Sequence, residues 1–392
     1  MAEHRQRPAI LVGALTGRSH HVLLAGGGHA HAVALRHLAK KPPSPGVTLT
    51  LVAPSTHNLY SGALPGVIAG HWTADAIGVP LEPLCAAAGV SFVQDSITSI
   101  DAGANTVHLA SGNTLSFDLA SLDVGSGIRR LDIAGSDDRL VPIRPIEPFL
   151  LKWQKTIDKA RGADTPPSIV VVGAGLAGIE VALAIKFRLE EEGFPDARVH
   201  LVDAGSSIAS SNSPTLRRKL KRALDRANIT LCLHARVQSI DAGSVSLSTG
   251  ETLKSALVVN CAGSAPHGWI GESALATTQG RIDVDPCLRS TSHPNVWAAG
   301  DTSYFTADPL EPAGVFAVRA GPVIAENIRR WSQEFPLTQF DPQSDYLKLV
   351  SLGEKKAIAE KFGITVEGGW VWKLKKAIDF SFLREHSLPA RN

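Results

Sequence analysis

The sequence lacks the features that mark several classes of protein. Its four cysteines are Cys85, Cys232, Cys261 and Cys287, and no two of them form a CxxC or CxxxxC pair. This spacing argues against a zinc site and a local redox disulfide, and it fits a cytoplasmic protein. The formal net charge is only +2, which gives no reason to expect nucleic acid as a partner. No apolar run reaches the roughly 18 residues needed to span a bilayer.

The rest of the composition is that of a folded protein with more than one domain. Hydrophobic residues make up 44% of the 392 residues and charged residues 19%, which excludes wholesale disorder. At about 100–200 residues per domain, the length predicts two or three domains. Residues 1–19 are interpreted as an N-terminal extension. Its apolar stretch, Pro8–Leu15, is followed by no clear signal-peptide cleavage site.

A short apolar strand, a glycine cluster and a helical pattern follow one another twice in the chain. The first unit is His21–Ala25 with Gly26–His31, and the second is Ile169–Val172 with Gly173–Gly178. Continuous apolar strands of this kind are typical of parallel sheets that are buried on both faces. The pattern predicts an α/β fold with two Rossmann-like dinucleotide-binding domains. Each unit is followed by a second apolar strand, Val47–Val52 and Val199–Val202.

The second glycine cluster has the full GxGxxG spacing, with Gly173, Gly175 and Gly178. In such a turn the first glycine makes the bend, the second lets the backbone approach a pyrophosphate, and the third lets helix and strand pack closely. The helix that follows offers free N–H groups and the positive end of its dipole. The sequence therefore predicts a dinucleotide site at this turn.

An acidic residue, Asp203, ends the strand that follows this turn. Its carboxylate can accept both ribose hydroxyls of an adenosine, whereas a 2′-phosphate at the same place would be repelled. NADH is therefore the expected nucleotide and NADPH the less favoured one. Arg217 and Arg218 remain candidates to fold back toward a phosphate.

The first glycine cluster is less regular. Gly26 and Gly28 are in place, but His31 stands at the third glycine position. The next strand ends in Val52-Ala53-Pro54 and supplies no acid. On the residues alone this is a degraded nucleotide site. His29 and His31 lack a third ligand nearby, so helix packing is the expected role and no metal site is predicted.

A third element strengthens the case for a flavin. The segment Asn295–Gly300 has the pattern of a strand and is followed by Asp301 and, further on, by Gly314 at the start of a helical pattern. A glycine at the end of a strand lets an aspartate and a helix N-terminus approach the polyol and phosphate of a ligand. A Gly-Asp turn is common by itself, but its order after two glycine clusters makes it informative.

Together these motifs resemble the pyridine nucleotide-disulfide oxidoreductase superfamily, and within it the branch of type II NADH dehydrogenases and sulfide:quinone oxidoreductases. The resemblance implies that the first turn and the Gly-Asp turn bind FAD and that the second turn binds NADH. The FAD set implied in this way is Gly26, Gly28, His29, Ala30, Pro65, Gly125, Gly300, Asp301, Gly314 and Val315. The NADH set is Gly173, Gly175, Leu176, Ala177, Gly178 and Asp203.

The same likeness makes Glu180 the candidate catalytic residue, because in relatives it points toward the nicotinamide. Its simpler interpretation is a carboxylate near the helix start that the dipole stabilises. A narrower likeness joins this chain to FAD-containing NADH dehydrogenase-like proteins that are sometimes fused to selenide, water dikinase. The segments that carry it are Gly26–His31, Leu59–Gly66, Asp123–Ser126, Ala313–Arg319 and Trp370–Lys375.

The sequence also departs from the branch in ways that leave the electron acceptor open. Residues 125–172 contain no cysteine, which argues against a persulfide mechanism, and the glutamine-rich quinone segment of type II NADH dehydrogenases is replaced by Pro312–Arg319. Quinone is the expected acceptor. The alternatives are a soluble flavin reductase or oxidase that serves a selenium, sulfur or redox-protein partner, and a nucleotide-binding redox sensor without turnover.

The expected organisation has an FAD-binding domain built from residues 20–140 and 257–332, an NAD(P)H-binding domain over 141–256, and a small C-terminal α+β region over 333–392. In that region a hairpin is predicted over Leu347–Lys361, followed by a helix from Trp370 to Arg384. An apolar stripe on this helix is predicted to contact the inner membrane surface, the core of the protein or the second copy in a homodimer. The stripe consists of Trp370, Val371, Leu374, Ala377, Ile378 and Phe382.

Overall fold

A computed structural model of the chain describes residues 19–131, 133–135, 138–241 and 243–387. The predicted N-terminal extension therefore lies outside the described residues, apart from Ser19.

Two five-stranded parallel sheets form the frame of the molecule. Each is built around one of the two strands that precede a glycine cluster, and its central strands are buried. In the second sheet one face packs against helices, and the other packs against the antiparallel meander of residues 237–254. The first sheet has the strand order Val296–Ala298, Leu119–Leu122, His20–Ala25, Val47–Ala53, Ser91–Gln94. The second has the order Leu140–Pro142, Leu257–Asn260, Ser168–Val172, Arg198–Val202, Thr230–Cys232.

The remaining strands form smaller sheets of two or three strands around this frame. Three of them are antiparallel meanders: Ile97–Asp101, Thr106–Leu109, Thr114–Ser116; Val237–Asp241, Ser244–Leu247, Thr252–Lys254; and Lys348–Leu352, Glu354–Lys361, Ile364–Gly368. A mixed sheet contains Thr277–Thr278, Arg281–Val284 and Ser303–Phe305. Two strand pairs complete the set, His57–Leu59 with Gly78–Pro80 and Gly127–Ile128 with Ser264–Ala265.

The helices connect and cover these strands. In chain order they are α1 His29–Lys40, α2 Leu64–Ile68, α3 Leu81–Ala88, α4 Ile146–Arg161, α5 Leu176–Glu191, α6 Pro214–Arg226, α7 Gly268–Gly271, α8 Gly314–Trp331 and α9 Gly369–Ser387. Short 3-10 turns lie at Ser61–Ala63, Asp75–Ile77 and Gly300–Thr302. The two predicted strand–turn–helix units are present, and the α/β fold with two Rossmann-like domains is confirmed.

The pairing of the strands corrects two expectations. Leu257–Asn260 pairs with Ser168–Val172, so the second domain's sheet continues beyond the predicted boundary at residue 256. The alternating pattern of Val90–Gln94 predicts a strand of a small antiparallel meander, but Ser91–Gln94 pairs in parallel with Val47–Ala53 at the edge of the first sheet. Leu257–Asn260 is buried along its whole length, whereas Ser91–Gln94 at the sheet edge is half-buried or exposed.

The C-terminal region packs on both domains at the level of the glycine turns. The turn at Gly353 lies against α5, where a side chain would overlap the carbonyl oxygen of Leu183. On the other side, α9 contacts α1 and the loop around Tyr60 of the first domain. The predicted hairpin and helix are both present, and a third strand, Ile364–Gly368, extends the hairpin.

Candidate functional site

A cavity of about 450 Å³ runs along the carboxyl edge of the first sheet. This edge is where ligands bind in open parallel sheets, because the strand order reverses there and leaves a crevice. Its volume falls in the range of cofactor pockets. At one end lie Val52–Ser55 and Asp95–Ile97, in the middle the glycine turn, and at the other end Arg144–Glu147 with His267 and Trp269.

The first glycine turn is held together by His31, which is fully buried. Its Nδ1 lies 2.6 Å from the carbonyl oxygen of Gly26, and its Nε2 lies 2.9 Å from Oγ of Ser121 on the neighbouring strand. Burial lowers the pKa of His31 to about 4, so the ring is neutral at physiological pH. These contacts agree with the packing role predicted for His31. The ring joins the start of α1 to the neighbouring strand, at the position where a glycine would let helix and strand touch directly.

Asp123, at the end of the strand Leu119–Leu122, places a buried carboxylate at the N-terminus of α1. Its Oδ2 accepts the N–H of His31 at 3.1 Å, and its backbone carbonyl accepts the N–H of Gly28 at 3.1 Å. Any side chain at Gly28 would overlap this carboxylate. Burial raises the pKa of Asp123 to about 7, even though the N–H groups that it accepts lower that pKa.

The Gly-Asp turn brings a second carboxylate to the same cavity. Oδ2 of Asp301 accepts the hydroxyl of Ser126 at 2.8 Å and lies 3.3 Å from Nη1 of Arg144. Gly125 is fixed beside it, because its N–H donates to Oγ1 of Thr302 at 3.1 Å. The two carboxylates are close enough that the charge of Asp301 adds to the upward shift of the pKa of Asp123.

Most of the FAD residues that the sequence suggested meet in this cavity. Its walls include Gly26, Gly28, His29, Gly125, Asp301 and Gly314. Four others do not line it: Ala30, Pro65, Gly300 and Val315. Ala30 is buried in the first turn of α1, and Pro65 is buried in the first turn of α2, so neither presents a side chain to the cavity. From the loop that contains Pro65, it is Leu59 and Ser61 that reach the wall.

The cavity fits a flavin dinucleotide in shape and in chemistry. Gly27 and Gly28 leave the backbone of the turn open to the cavity, and Asn58 supports the turn by donating to the carbonyl oxygen of Gly27 at 2.7 Å. Asp301 and Ser126 offer the acceptors and donors that a polyol needs. An FAD-type cofactor supplies hydride and electron transfer when it is bound, whereas the residues around it supply placement and electrostatics.

The second glycine turn has a different construction. A Cβ at Gly178 would overlap the carbonyl oxygen of Gly173, so strand and helix touch backbone to backbone. Gly175 and Ala177 are exposed, Leu176 is half-buried, and nothing lies within 4 Å of an added Cβ at Gly175. The N-terminus of α5 is therefore open to a ligand that carries phosphate.

Asp203 lies beside this turn, as predicted from its position after the next strand. Its Oδ2 accepts the N–H of Ala174 at 2.7 Å, and its Oδ1 accepts the N–H of Gly205 at 2.6 Å. The carboxylate is fixed by two backbone donors and still has lone pairs for ribose hydroxyls. Of the two arginines considered above, Arg217 lies nearest to this loop, with Nη1 3.5 Å from Oγ of Ser207.

Glu180, one turn into α5, lies at the junction of the two domains and the C-terminal region. Its Oε1 accepts the N–H of Ser351 at 2.6 Å. Burial raises the pKa of Glu180 to about 7, although the charge of Lys375 acts in the opposite direction. A carboxyl with a pKa near 7 is suited to exchange protons at physiological pH.

A buried polar cluster, formed by Tyr60, Lys375 and Asp379, was not predicted from the sequence. Nζ of Lys375 donates to Oδ2 of Asp379 at 2.8 Å and to the carbonyl oxygen of Gly62 at 2.7 Å. The hydroxyl of Tyr60 donates to Oδ1 of Asp379 at 3.3 Å. The spacing of Lys375 and Asp379 by one helical turn was the available signal, but an exposed ion pair has the same spacing.

Arg144 and Asp123 were also missed as site residues. Arg144 lies between the strand Leu140–Pro142 and α4 with no motif around it, so the sequence gives no signal for its contact with Asp301. Asp123 directly follows a short, mostly apolar strand, and a carboxylate in that place is the signal that was available.

Metal ligands and cysteine pairs play no part in this geometry. No cluster of three or more histidine, cysteine or acidic side chains capable of holding a metal occurs among the described residues. The four cysteines are free thiols, and burial raises the pKa of Cys85 and of Cys261 to about 12. Such thiols are protonated and unreactive at neutral pH.

The fold and the two turns define a protein with two dinucleotide-binding domains, one with an acidic polyol site and one with a ribose-binding aspartate. The chain belongs to the pyridine nucleotide-disulphide oxidoreductase family, whose model matches residues 20–324. FAD and NAD(P)H are the cofactors of the chain, as the resemblance in the sequence implied.

Relatives and solved structures refine this placement. An NADH dehydrogenase-like protein of Mycobacterium tuberculosis is 30% identical over 236 residues, which are 58% of this chain and 59% of that protein. The NADH dehydrogenase-like protein YutJ of Bacillus subtilis is 21% identical over 369 residues, covering 92% of this chain and 97% of YutJ. Sulfide:quinone oxidoreductase of Aquifex aeolicus has the same fold, with a TM-score of 0.79 at 18% identity, covering 95% and 93% of the two chains. The match to the mycobacterial protein thus spans less than two thirds of its length.

Proposed function

We propose that this protein transfers a hydride from NADH to FAD and then passes the electrons to a quinone at a membrane surface. The hydride donor would lie on Gly173–Gly178 with its ribose on Asp203, and the flavin would lie in the cavity beside Gly26–Gly28 and Asp301. The NADH dehydrogenase-like relatives support the donor, and the sulfide:quinone oxidoreductase fold supports the acceptor.

The observation that carries the proposal is the distribution of side chains on α9, whose inward face combines the apolar Val371 and Leu383 with buried charged groups. Its inward face carries Lys375 and Asp379, which are 7% and 4% exposed. Its outward face carries Trp370, Leu374 and Ile378, which are 58%, 38% and 42% exposed. Helices on a soluble surface normally have the opposite arrangement, so the outward face calls for an apolar neighbour.

The inward face fits the chemistry of a quinone. Reduction of a quinone to a quinol takes up two protons together with two electrons, so an acceptor site needs groups that release protons near pH 7. Glu180, near the N-terminal end of α5 where the nicotinamide would lie, is such a group because its pKa is raised to about 7. The charge of Lys375, on the inward face of α9, acts on it. Glu180 is proposed to supply a proton there, in addition to placing the nicotinamide.

The outward face fits contact with a lipid surface. Trp370, Leu374 and Ile378 are spaced by four residues and form one stripe, and the exposed Lys373 and Lys376 flank it. Tryptophan and lysine together are typical of helices that lie in the membrane interface, where lysine is attracted to anionic lipid. Val371 and Phe382 are not part of this stripe, because Val371 is buried and Phe382 stacks on Tyr60 with 4.9 Å between ring centroids. No helix in the described part of the chain is both long and apolar enough to cross a bilayer.

The test combines lipid binding with acceptor turnover. A triple variant, Trp370→Ser, Leu374→Ser and Ile378→Ser, should remain in the supernatant with anionic liposomes, whereas the wild type should sediment with them. It should still be reduced by NADH but should turn over a long-chain quinone embedded in the liposomes at least tenfold more slowly. The matched control replaces two exposed apolar residues elsewhere, Leu151→Ser and Phe335→Ser.

Three outcomes contradict parts of the proposal. Equal sedimentation of the triple variant and the wild type rejects the lipid contact. A wild type that stays in solution as a dimer, while the triple variant is a monomer, assigns the stripe to a second copy of the chain. Reoxidation that is fast with a redox protein and slow with every quinone replaces quinone by a protein acceptor.

A further inference from the structure

Asp123 poses an electrostatic problem that neither the proposed reaction nor the GxGxxG pattern explains. In a regular turn the N–H groups at the helix start are free to hold a pyrophosphate. Here Oδ2 of Asp123 already accepts the N–H of His31, and the carboxylate lies directly against Gly28, which lines the cavity. The position that attracts an anion is thus partly filled by an anion of the protein itself.

The charged groups around Asp123 do not neutralise it. Asp301 is near enough to repel it, since a Cβ at Gly300, the residue before Asp301, would lie 3.0 Å from Oδ1 of Asp123. Arg144, which lines the same cavity, pairs with Asp301 at 3.3 Å. On α1, burial lowers the pKa of both His29 and His31 to about 4, so both rings are uncharged near pH 7. A bound pyrophosphate would add further negative charge to two carboxylates and one arginine.

One arrangement of protons removes the conflict. If the Asp123 carboxyl keeps its proton, Oδ2 can still accept the N–H of His31 while the acid O–H becomes a donor to phosphate. We propose that Asp123 binds the FAD pyrophosphate as the neutral acid, donating a hydrogen bond to it, and that ionisation of Asp123 weakens the hold on the flavin. The inference rests on the placement of FAD at the first turn that the proposed function uses.

The direction of the pH effect follows from linkage. Burial raises the pKa of Asp123 to about 7 in the free protein, and an anionic ligand beside it would raise that pKa further. Below the lower of these two pKa values the carboxyl is protonated with or without ligand, and affinity does not depend on pH. Between the two values the ligand must bind together with a proton, so affinity falls by about tenfold per pH unit as the pH rises.

His31 and Asp123 hold the turn through different groups. The ring of His31 satisfies the carbonyl oxygen of Gly26 and the hydroxyl of Ser121, whereas Asp123 accepts the backbone N–H of residue 31. A glycine at position 31 would keep this backbone N–H but would lose both contacts of the ring. Asp123 is therefore a positioning residue for the turn as well as a contact for the cofactor.

The test is a titration of apoprotein with FAD at several pH values, with the dissociation constant from flavin fluorescence as the readout. For the wild type, the dissociation constant should be constant below about pH 6.5 and should rise at least fivefold between about pH 7 and about pH 8.5. For Asp123→Asn, whose amide can also donate to phosphate, the constant should not change with pH. At the highest pH of the titration the variant should therefore bind FAD more tightly than the wild type, and misfolding cannot produce such a gain in affinity.

The control is Asp95→Asn, at the other end of the same cavity. A hydrogen bond from Ser111 lowers the pKa of Asp95, so it is ionised throughout the titration and its loss should leave the pH dependence in place. Two results overturn the inference and leave the proposed function intact. In the first, the wild type binds FAD tightly with an affinity that does not vary with pH. In the second, the affinity of the wild type varies with pH and that of Asp123→Asn varies in the same way. Should Asp123→Asn fail to fold, Asp123→Ser, whose hydroxyl can also donate to phosphate, is titrated in its place and should likewise show no pH dependence. Folded protein that binds no FAD at any pH overturns both.

Discussion

The third position of the glycine motif is occupied by Gly178 in the second turn and by His31 in the first. At Gly178 the helix and the strand meet backbone to backbone, and no side chain fits between them. At His31 the ring itself joins them, through Gly26 on one side and Ser121 on the other. The comparison teaches that the third position of the motif must join the helix to the strand and leave no buried polar group without a partner. Glycine does so by direct backbone contact, and His31 does so through its ring.

The two turns also differ in what they leave free for a ligand. The second turn leaves the N-terminus of α5 open, with the exposed Gly175 and Ala177 in front of it. The first turn closes part of the N-terminus of α1 with Asp123. The second turn therefore suits a nucleotide that binds and leaves in each reaction cycle, whereas the first suits a cofactor that stays bound.

The largest effect is expected from Gly178→Ala, because the new Cβ would overlap the carbonyl oxygen of Gly173 and neither atom can move without opening the turn. We expect the free energy of unfolding to fall by about 4 kcal/mol or more, with loss of NADH binding. Chemical denaturation and NADH titration measure both. The control is Gly175→Ala, which has open space around the new Cβ. Equal stability of the two variants would show that the second turn is not closely packed.

A smaller loss of stability is expected from His31→Gly, which gives the first turn the regular GxGxxG motif. The variant loses two buried hydrogen bonds and leaves a cavity beside Ser121, and we expect about 2–4 kcal/mol of destabilisation with lower flavin content. Thermal unfolding and the absorbance of released FAD report the two effects. The control is His108→Gly, an exposed histidine on the strand Thr106–Leu109 that does not line the cavity. A His31→Gly variant as stable as the wild type would mean that the motif alone, and not the ring, holds this turn.

The smallest effect is expected from Asp203→Asn, which keeps one acceptor for the backbone but removes the charge. The preference for NADH over NADPH should shrink by about tenfold, or roughly 1.4 kcal/mol, while flavin content stays the same. The measurement is the rate of flavin reduction by each nucleotide. Asp225→Asn, on the exposed side of α6, is the matched control. A wild type that is reduced faster by NADPH would contradict the role given to Asp203.

The frame of this fold could be predicted from the sequence because its signals are local. The apolar strands, the glycine clusters and the tail helix each lie within a short segment, and their periodicity indicates the element directly. The pairing of Leu257–Asn260 with the second sheet could not be predicted, because it joins strands that are far apart in the chain. The same holds for the edge strand Ser91–Gln94, whose few residues suit either kind of sheet.

Residues of the site could be predicted from the sequence only where they belong to a recognisable motif. Asp203 and Asp301 lie where their motifs place them, whereas Pro65 is buried in the first turn of the short helix α2. The predicted stripe of α9 divides into two faces, because Val371 is buried beside the hairpin while Trp370 remains outside. Periodicity shows which residues share a helix face, but it does not show which face the rest of the chain will cover.

The measurement that tests the central claim most directly is an anaerobic half-reaction in a stopped-flow instrument. Purified protein loaded with FAD is mixed with NADH, and the yellow absorbance of the flavin is followed. A short-chain quinone is then added. The account predicts that NADH bleaches the flavin at least as fast as the enzyme turns over, and that the quinone then restores the colour. A folded, FAD-loaded protein whose flavin keeps its colour with both NADH and NADPH would contradict it.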